Sequence, residues 1–178
     1  VLKNLHALDA DASVLSVLGT EEHAELIRDR LREIGIGDDL LAVEEGRISS
    51  KKTRVLAESY NQQIIRIDRE TRDPIDEGTH ENLINKFHER VEDLDAIILS
   101  DYGKGLLTPV FTRELIKTAN EHSVPVITDP KGTNYSKYSG SSTITPNTEE
   151  AEQAAELEID DDATLQRTGE KLLKQYSF

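Results

Sequence analysis

The stretch Ala96-Ile97-Ile98-Leu99-Ser100-Asp101-Tyr102-Gly103-Lys104-Gly105 sets the pattern that decides the fold: a short apolar run, a polar cluster, then a helical period. The pattern returns where Pro125-Val126-Ile127-Thr128 runs into Asp129-Pro130-Lys131-Gly132, and where Thr143-Ile144 runs into Thr145-Pro146-Asn147-Thr148-Glu149-Glu150. Short continuous apolar runs bounded by turn chemistry are those of buried parallel strands. In an open α/β sheet, ligands bind just beyond the carboxyl ends of the strands, so three successive polar strand ends predict one ligand crevice.

Upstream, residues 13–18 read as a strand and residues 21–34 as a helix, with Ala24, Ile27, Leu31 and Ile34 on its apolar face and Gly35 as its stop. Residues 40–43, 53–58 and 63–67 read as short strands between turn-rich segments, which predicts a small antiparallel patch over residues 40–67. Residues 68–78 read as a polar loop and residues 81–94 as an amphipathic helix through Leu83, Ile84, Phe87 and Val91. Pro109 suits the first turn of a helix over residues 110–122, and Asp160-Asp161-Asp162 punctuates two final helices. The fold class is therefore α/β, a mostly parallel sheet flanked by helices.

A chain of 178 residues can bury one well-formed core. Its 21 basic and 35 acidic side chains give a net charge of -14, which repels a phosphate backbone and argues against a nucleic-acid partner. The absence of Cys excludes disulfides and thiolate metal sites and fits a reducing compartment, the cytoplasm. No apolar stretch reaches membrane-spanning length, so no membrane partner is expected. Both ends are helical in pattern without caps, and no Met stands at position 1, so the chain reads as part of a longer domain.

Asn147 and Glu150, three apart at a strand-to-helix handover, present an amide oxygen and a carboxylate to one crevice, a sparse shell suited to magnesium carrying phosphates. The same spacing caps a helix, the commoner use of an isolated Asn-x-x-Glu. Lys104 lies between Gly103 and Gly105, and Lys131 follows Asp129-Pro130, each able to meet an anion. Asp101 is placed to accept hydrogen bonds from a polyol, or simply to form a turn. Arg47, Lys51, Lys52, Arg54 and Arg66 make the antiparallel patch the densest basic region, suited to a phosphorylated small molecule or to an edge strand guarded by charge.

Lys52-Thr53-Arg54-Val55, Asn61-Gln62-Gln63-Ile64-Ile65-Arg66-Ile67-Asp68, Ser100-Asp101-Tyr102-Gly103-Lys104-Gly105 and Asp129-Pro130-Lys131-Gly132-Thr133, running on to Asn147-Thr148-Glu149-Glu150, resemble the ribokinase-like (PfkB) sugar kinases. Within them, the match is to the heptose 7-phosphate kinase domains of bifunctional kinase/adenylyltransferases. The resemblance implies a ribokinase-like fold with a small antiparallel β-lid at residues 40–67 and ATP- and magnesium-dependent phosphorylation of D-glycero-D-manno-heptose 7-phosphate at its anomeric hydroxyl. The product would serve ADP-heptose and lipopolysaccharide core synthesis. It further implies that Lys52, Arg54, Asn61, Gln63, Arg66, Asp101 and Lys104 serve the substrate, that Lys131, Asn147 and Glu150 serve the nucleotide phosphates, and that Glu150 serves the metal. A homodimer through the lid is implied as well. Two motifs of such kinases are not in these residues: a glycine-rich sugar-binding segment expected before Val1, and a Gly-Ala-Gly-Asp segment with the catalytic base expected beyond Phe178. The 178 residues alone are therefore expected to be inactive. Glu22 stands where many such kinases carry aspartate near the first strand end. A non-catalytic α/β module that binds a nucleotide or sugar phosphate is the alternative.

Overall fold

The computed structural model describes residues 1–57 and 62–178. They form two compact units, Val1–Leu83 and Ile84–Phe178. The first unit holds α1 (Leu2–Ala7), β1 (Ser16–Leu18), α2 (Glu22–Glu33), β2 (Leu41–Val43), β3 (Lys51–Ala57), β4 (Gln62–Arg69) and the start of α3 (Glu77–His88). β1 and β2 pair in parallel, Val17 opposite Ala42, with α2 as the crossover between them. Gly35, at φ +72°, ends α2 in a conformation that costs other residues steric strain. Leu18, Ala24, Leu31, Ile36 and Leu41 form the core of this unit, with Val14, Ile27 and Ile34 packed against it.

β3 and β4 form a separate antiparallel ribbon, and this corrects the expected start of the lid. Residues 40–43 belong to the parallel pair instead, because Leu40, Leu41 and Ala42 are all buried and a strand covered on both faces suits a parallel partner. The ribbon runs from Lys51 to Arg69. The next helix also starts earlier than its apolar period predicts. Asp76 Oδ1 accepts the Thr79 amide at 2.6 Å and so caps the chain at Glu77. Its far end stops at His88, and a separate 3-10 turn, Val91–Asp93, carries Val91.

The second unit continues through β5 (Ile97–Ser100), α4 (Pro109–Glu121), β6 (Val126–Asp129), β7 (Thr143–Ile144), α5 (Thr148–Ala155) and α6 (Asp162–Tyr176). β5, β6 and β7 form a parallel sheet in that order, Leu99 opposite Thr128 and Ile127 opposite Thr143. All three strands therefore end on one edge. α4 starts cleanly because Thr108 Oγ1 accepts the Phe111 amide at 3.2 Å and Pro109 occupies the first turn, where its missing N–H is not needed. Its residues Phe111, Leu115, Ile116 and Ala119 recur at helical spacing and are buried. Each large apolar side chain buried this way contributes about 1.5–3 kcal/mol relative to exposure. Asp161 caps α6 through a reciprocal exchange with Thr164, the punctuation expected of the Asp160 to Asp162 run.

Candidate functional site

Parallel pairing puts Asp101, Lys131, Asn147 and Glu150 at the carboxyl edge of one sheet, each just beyond the end of its strand. Lys131 Nζ donates to Glu150 Oε1 at 3.0 Å, so the turns after β6 and β7 meet through a charge pair. That hydrogen bond, with the charge attraction behind it, holds the Lys131 ammonium above its ordinary pKa and the Glu150 carboxyl below the usual carboxylate range. Glu150 is also the helix cap: Oε2 accepts the Asn147 amide at 3.2 Å, and Asn147 Oδ1 accepts the Glu150 amide at 2.9 Å. α5 thus begins with a complete capping box.

Asp101 is not presented as an open acceptor for a polyol. It is 6% exposed, its Oδ2 accepts from Lys137 Nζ at 2.6 Å and from the Tyr138 hydroxyl at 2.7 Å, and its Oδ1 accepts the Gly103 amide at 2.7 Å. Its carboxylate is consumed in fixing the turn that carries Lys104. That turn passes through positive φ at both Gly103 and Gly105, which explains why glycines flank the lysine. Gly103 approaches Lys131 closely enough that an added Cβ would lie 3.8 Å from its Cγ. Lys104 and Lys131 therefore stand on neighbouring turns.

Lys137 and Tyr138 sit in a short 3-10 turn, Ser136–Tyr138, and no motif points to them. Lys137 Nζ also donates to the Leu107 carbonyl at 3.0 Å, and the Tyr138 hydroxyl accepts the Lys131 amide at 3.0 Å. Tyr135 donates its hydroxyl to the Glu150 carbonyl at 3.0 Å, and burial pushes its phenol up to about 12. Burial first, and then the bond to Asp101, push the Tyr138 phenol higher still, so it stays protonated and able to donate. The available signal was spacing: in a chain with 4% aromatics and five tyrosines, two fall three apart just after Asp-Pro-Lys-Gly.

In the first unit the ribbon has two chemically different faces. Thr53 opposite Ile67 and Val55 opposite Ile65 line one; Lys52 opposite Asp68 and Arg54 opposite Arg66 line the other. Arg66 Nε reaches Asp68 Oδ1 at 3.0 Å. Gln63 lies opposite Leu56, beyond a register irregularity, and Asn61 lies outside the described residues. Arg47 is a correction to the basic patch. It is 5% exposed, with Nε on Glu44 Oε1 and a terminal nitrogen on the Asp73 carbonyl, both at 2.9 Å, so it locks the loop after β2.

Near the end of β1 the engaged carboxylate is Glu21, not Glu22. It accepts from the Ser49 amide at 2.9 Å and from the Ser49 hydroxyl at 3.1 Å, while Ser49 Oγ accepts the Gly19 amide at 2.8 Å. Burial raises the Glu21 carboxyl, but hydrogen bonds from its own amide and from Ser49 together carry it below the ordinary value.

A metal can be tested against these donors. Among the described residues no group of three or more His, Cys, Asp or Glu could hold a cation. Glu150 has both oxygens engaged, so it would reach a magnesium ion only through the ion's own waters. Asn147 also borders a groove of about 310 Å³ shared with Thr148, Ile144 and Leu172, at the lower end of ligand-sized clefts. Among the described residues no helix is long and apolar enough to cross a membrane.

Residues 1–177 match the model of the pfkB family carbohydrate kinases. The bifunctional protein HldE of Citrifermentans bemidjiense is 44% identical over 173 residues, covering 97% of this chain and 35% of that protein. The protein of the same name from Aliarcobacter butzleri is 42% identical over 165 residues, 93% of this chain and 34% of its own length. The chain thus spans about a third of the length of the curated relatives it matches. In structure, Arabidopsis thaliana ribokinase complexed with ribose and ATP superposes with a TM-score of 0.70 at 15% identity, over 96% of this chain and 54% of that one, so the ribokinase-like fold is shared. With this matched length and these relatives, the chain belongs to the pfkB family of carbohydrate kinases.

Proposed function

We propose that the full-length protein transfers a phosphoryl group from ATP to the anomeric hydroxyl of D-glycero-D-manno-heptose 7-phosphate in the cytoplasm. The observation that carries this reading is the Lys131–Glu150 pair at the shared carboxyl edge of β5, β6 and β7, the place where an open α/β sheet binds its ligand. Lys131 and Asn147 meet the nucleotide phosphates, and Lys104 meets the sugar. Magnesium, when bound, neutralises charge on the phosphates, and Glu150 holds it through its waters. Phosphoryl transfer depends on positioning and charge stabilisation, so the 178 residues, which lack a Gly-Ala-Gly-Asp segment, are inactive alone.

The ribbon supports a phosphorylated sugar. Arg54 directly opposite Arg66 leaves this face with more positive than negative charge even after Asp68 pairs with Arg66, which suits an anionic sugar, and Lys52 and Gln63 extend the same strands. Its other face exposes Val55, Ile65 and Ile67 by 40–50%, and a second copy of the chain is the occupant we assign to it.

The test is a coupled assay of ADP release by the full-length protein, with heptose 7-phosphate, unphosphorylated heptose and fructose 6-phosphate as acceptors. Turnover with heptose 7-phosphate, and a KM for that sugar raised about 10-fold or more by Arg54→Ala with the KM for ATP unchanged, are expected. Equal turnover of unphosphorylated heptose would overturn the assignment of the ribbon. No turnover of any sugar would overturn the kinase.

A further inference from the structure

We propose that Tyr138 is a positioning residue of the site, a bolt that ties the end of β5 to the turn after β6 and so aims the Lys131 ammonium. The inference rests on the kinase reading for its activity arm only. Tyr138 is fully buried, and its one hydroxyl makes two bonds of opposite sense: it donates to Asp101 Oδ2 at 2.7 Å and accepts the Lys131 amide at 3.0 Å. The Lys131 carbonyl lies 3.4 Å from the same oxygen, too far to compete with Asp101 for the single proton. Direction is thereby fixed: carboxylate, phenol, amide.

The two ends of this chain are the candidate site. Asp101 holds the turn carrying Lys104 through the Gly103 amide, and Lys131 carries the ammonium that meets Glu150. Lys137 completes the bolt by placing its charge on Asp101 Oδ2 and 4.9 Å above the Tyr138 ring. Tyr135 packs beside it, ring centroids 6.1 Å apart, and is itself backed by Tyr176 at 5.6 Å, so the phenol has little room to swing. A Lys131 backbone released from the phenol keeps its charge but loses its fixed origin. Misplacement of a charged group on the order of 1 Å costs about 100-fold in a positioned reaction.

Tyr138→Phe in the full-length protein keeps the ring and removes the oxygen. Ile84→Val, in α3, serves as a stability-matched control, since it makes none of these bonds. The first readout is hydrogen exchange of the Lys131 amide, which needs no phosphoryl transfer. In the wild type that amide donates to the Tyr138 hydroxyl at 3.0 Å. Tyr138→Phe removes the acceptor and is expected to speed this exchange about 10-fold or more, against no change in Ile84→Val. The second readout is steady-state kinetics: kcat/KM for ATP falls about 10-fold or more, with the KM for the sugar held.

If Tyr138→Phe behaves like Ile84→Val in exchange of the Lys131 amide, Tyr138 is a core residue only and the proposal is overturned. If the wild type phosphorylates no sugar, the kinase reading fails while the exchange result still decides the role of Tyr138. Should the Phe variant fail to fold, hydrogen exchange of the wild type decides. A Lys131 amide held by the phenol is protected to the same degree as the Asp101 amide, which donates to the Asp129 carbonyl at 3.0 Å, whereas exchange at the rate of an open loop overturns the bolt.

Discussion

Asp101→Asn should be among the costliest single-atom changes in this chain, and its cost can be worked from the three donors that surround the carboxylate. The amide can offer its one oxygen either to Lys137 and Tyr138 or to Gly103, but not to both sets. With the oxygen on the Lys137 side, an NH2 group faces the Gly103 amide and a buried donor goes unsatisfied, a loss of about 1–3 kcal/mol. In addition Lys137 loses its counter-charge. Breaking a fully buried pair costs about 3–5 kcal/mol, and the 20% exposure of the Lys137 side chain brings that share to the low end or below it. We expect about 3 kcal/mol in all, read as a shift of the urea midpoint of the full-length protein at unchanged slope. Lys137→Met should cost a comparable amount, and the double variant less than the sum, by about 2 kcal/mol. Additive losses across that cycle would refute the reasoning, because they would mean that the two side chains stabilise the fold independently.

Two further outcomes follow from the geometry. Glu150→Gln should destabilise most in a plateau of pH: the lowered Glu150 carboxyl contributes stability above the ordinary carboxylate pKa that is lost as pH falls through its folded value, and the raised Lys131 contributes stability below the ordinary amine pKa that is lost as pH rises through its folded value. Urea midpoints of wild type and variant from pH 3 to 11 should therefore diverge in the middle and draw together at both ends, and a gap independent of pH would reject the pair as its source. Gly19→Ala should cost at least about 2 kcal/mol, since its Cβ would sit 2.0 Å from the carbonyl oxygen of Arg47, a residue pinned by Glu44 and Asp73, while Gly169→Ala, with nothing within 4 Å in mid-α6, should gain about 0.5–1 kcal/mol. Equal midpoints for the two alanine variants would show that the loop after β2 is soft.

What could be read from the sequence was what depends on near neighbours. An apolar run followed by a polar turn marks a strand end by itself, so the edge carrying Asp101, Lys131 and Asn147 was legible before any coordinates. Caps are equally local, and Asn147 with Glu150 and Asp161 with Thr164 close within one turn. The apolar run at residues 40–43 carries no mark of direction, and its parallel partner lies some 25 positions upstream, Leu41 opposite Ser16, so it was assigned to the wrong sheet. The misjudged charges have the same origin. Arg47 is buried by an Asp73 carbonyl 26 positions away, and Asp101 is occupied by a lysine and a tyrosine 36 and 37 positions away. Composition counts both as available charge, whereas only the fold shows that each is already spent.

The choice posed at Asn147-x-x-Glu150 between a helix cap and a phosphate site dissolves in the same way. A carboxylate has two oxygens, and here one serves the N-cap amide while the other takes the Lys131 ammonium. The capping box fixes the side chain's rotamer at the positive end of α5, where its own charge is favoured, so the oxygen turned toward Lys131 is held without further support. A side chain with no cap role would have to surrender rotamer freedom to meet Lys131 at each encounter with a ligand. On the proposed reading, capping is therefore the means by which this helix start serves a phosphate. It also predicts why the two uses cannot be separated by deleting the carboxylate: Glu150→Ala removes both at once, whereas Lys131→Met leaves the box intact and the helix start in place while removing the charge that a phosphate would meet.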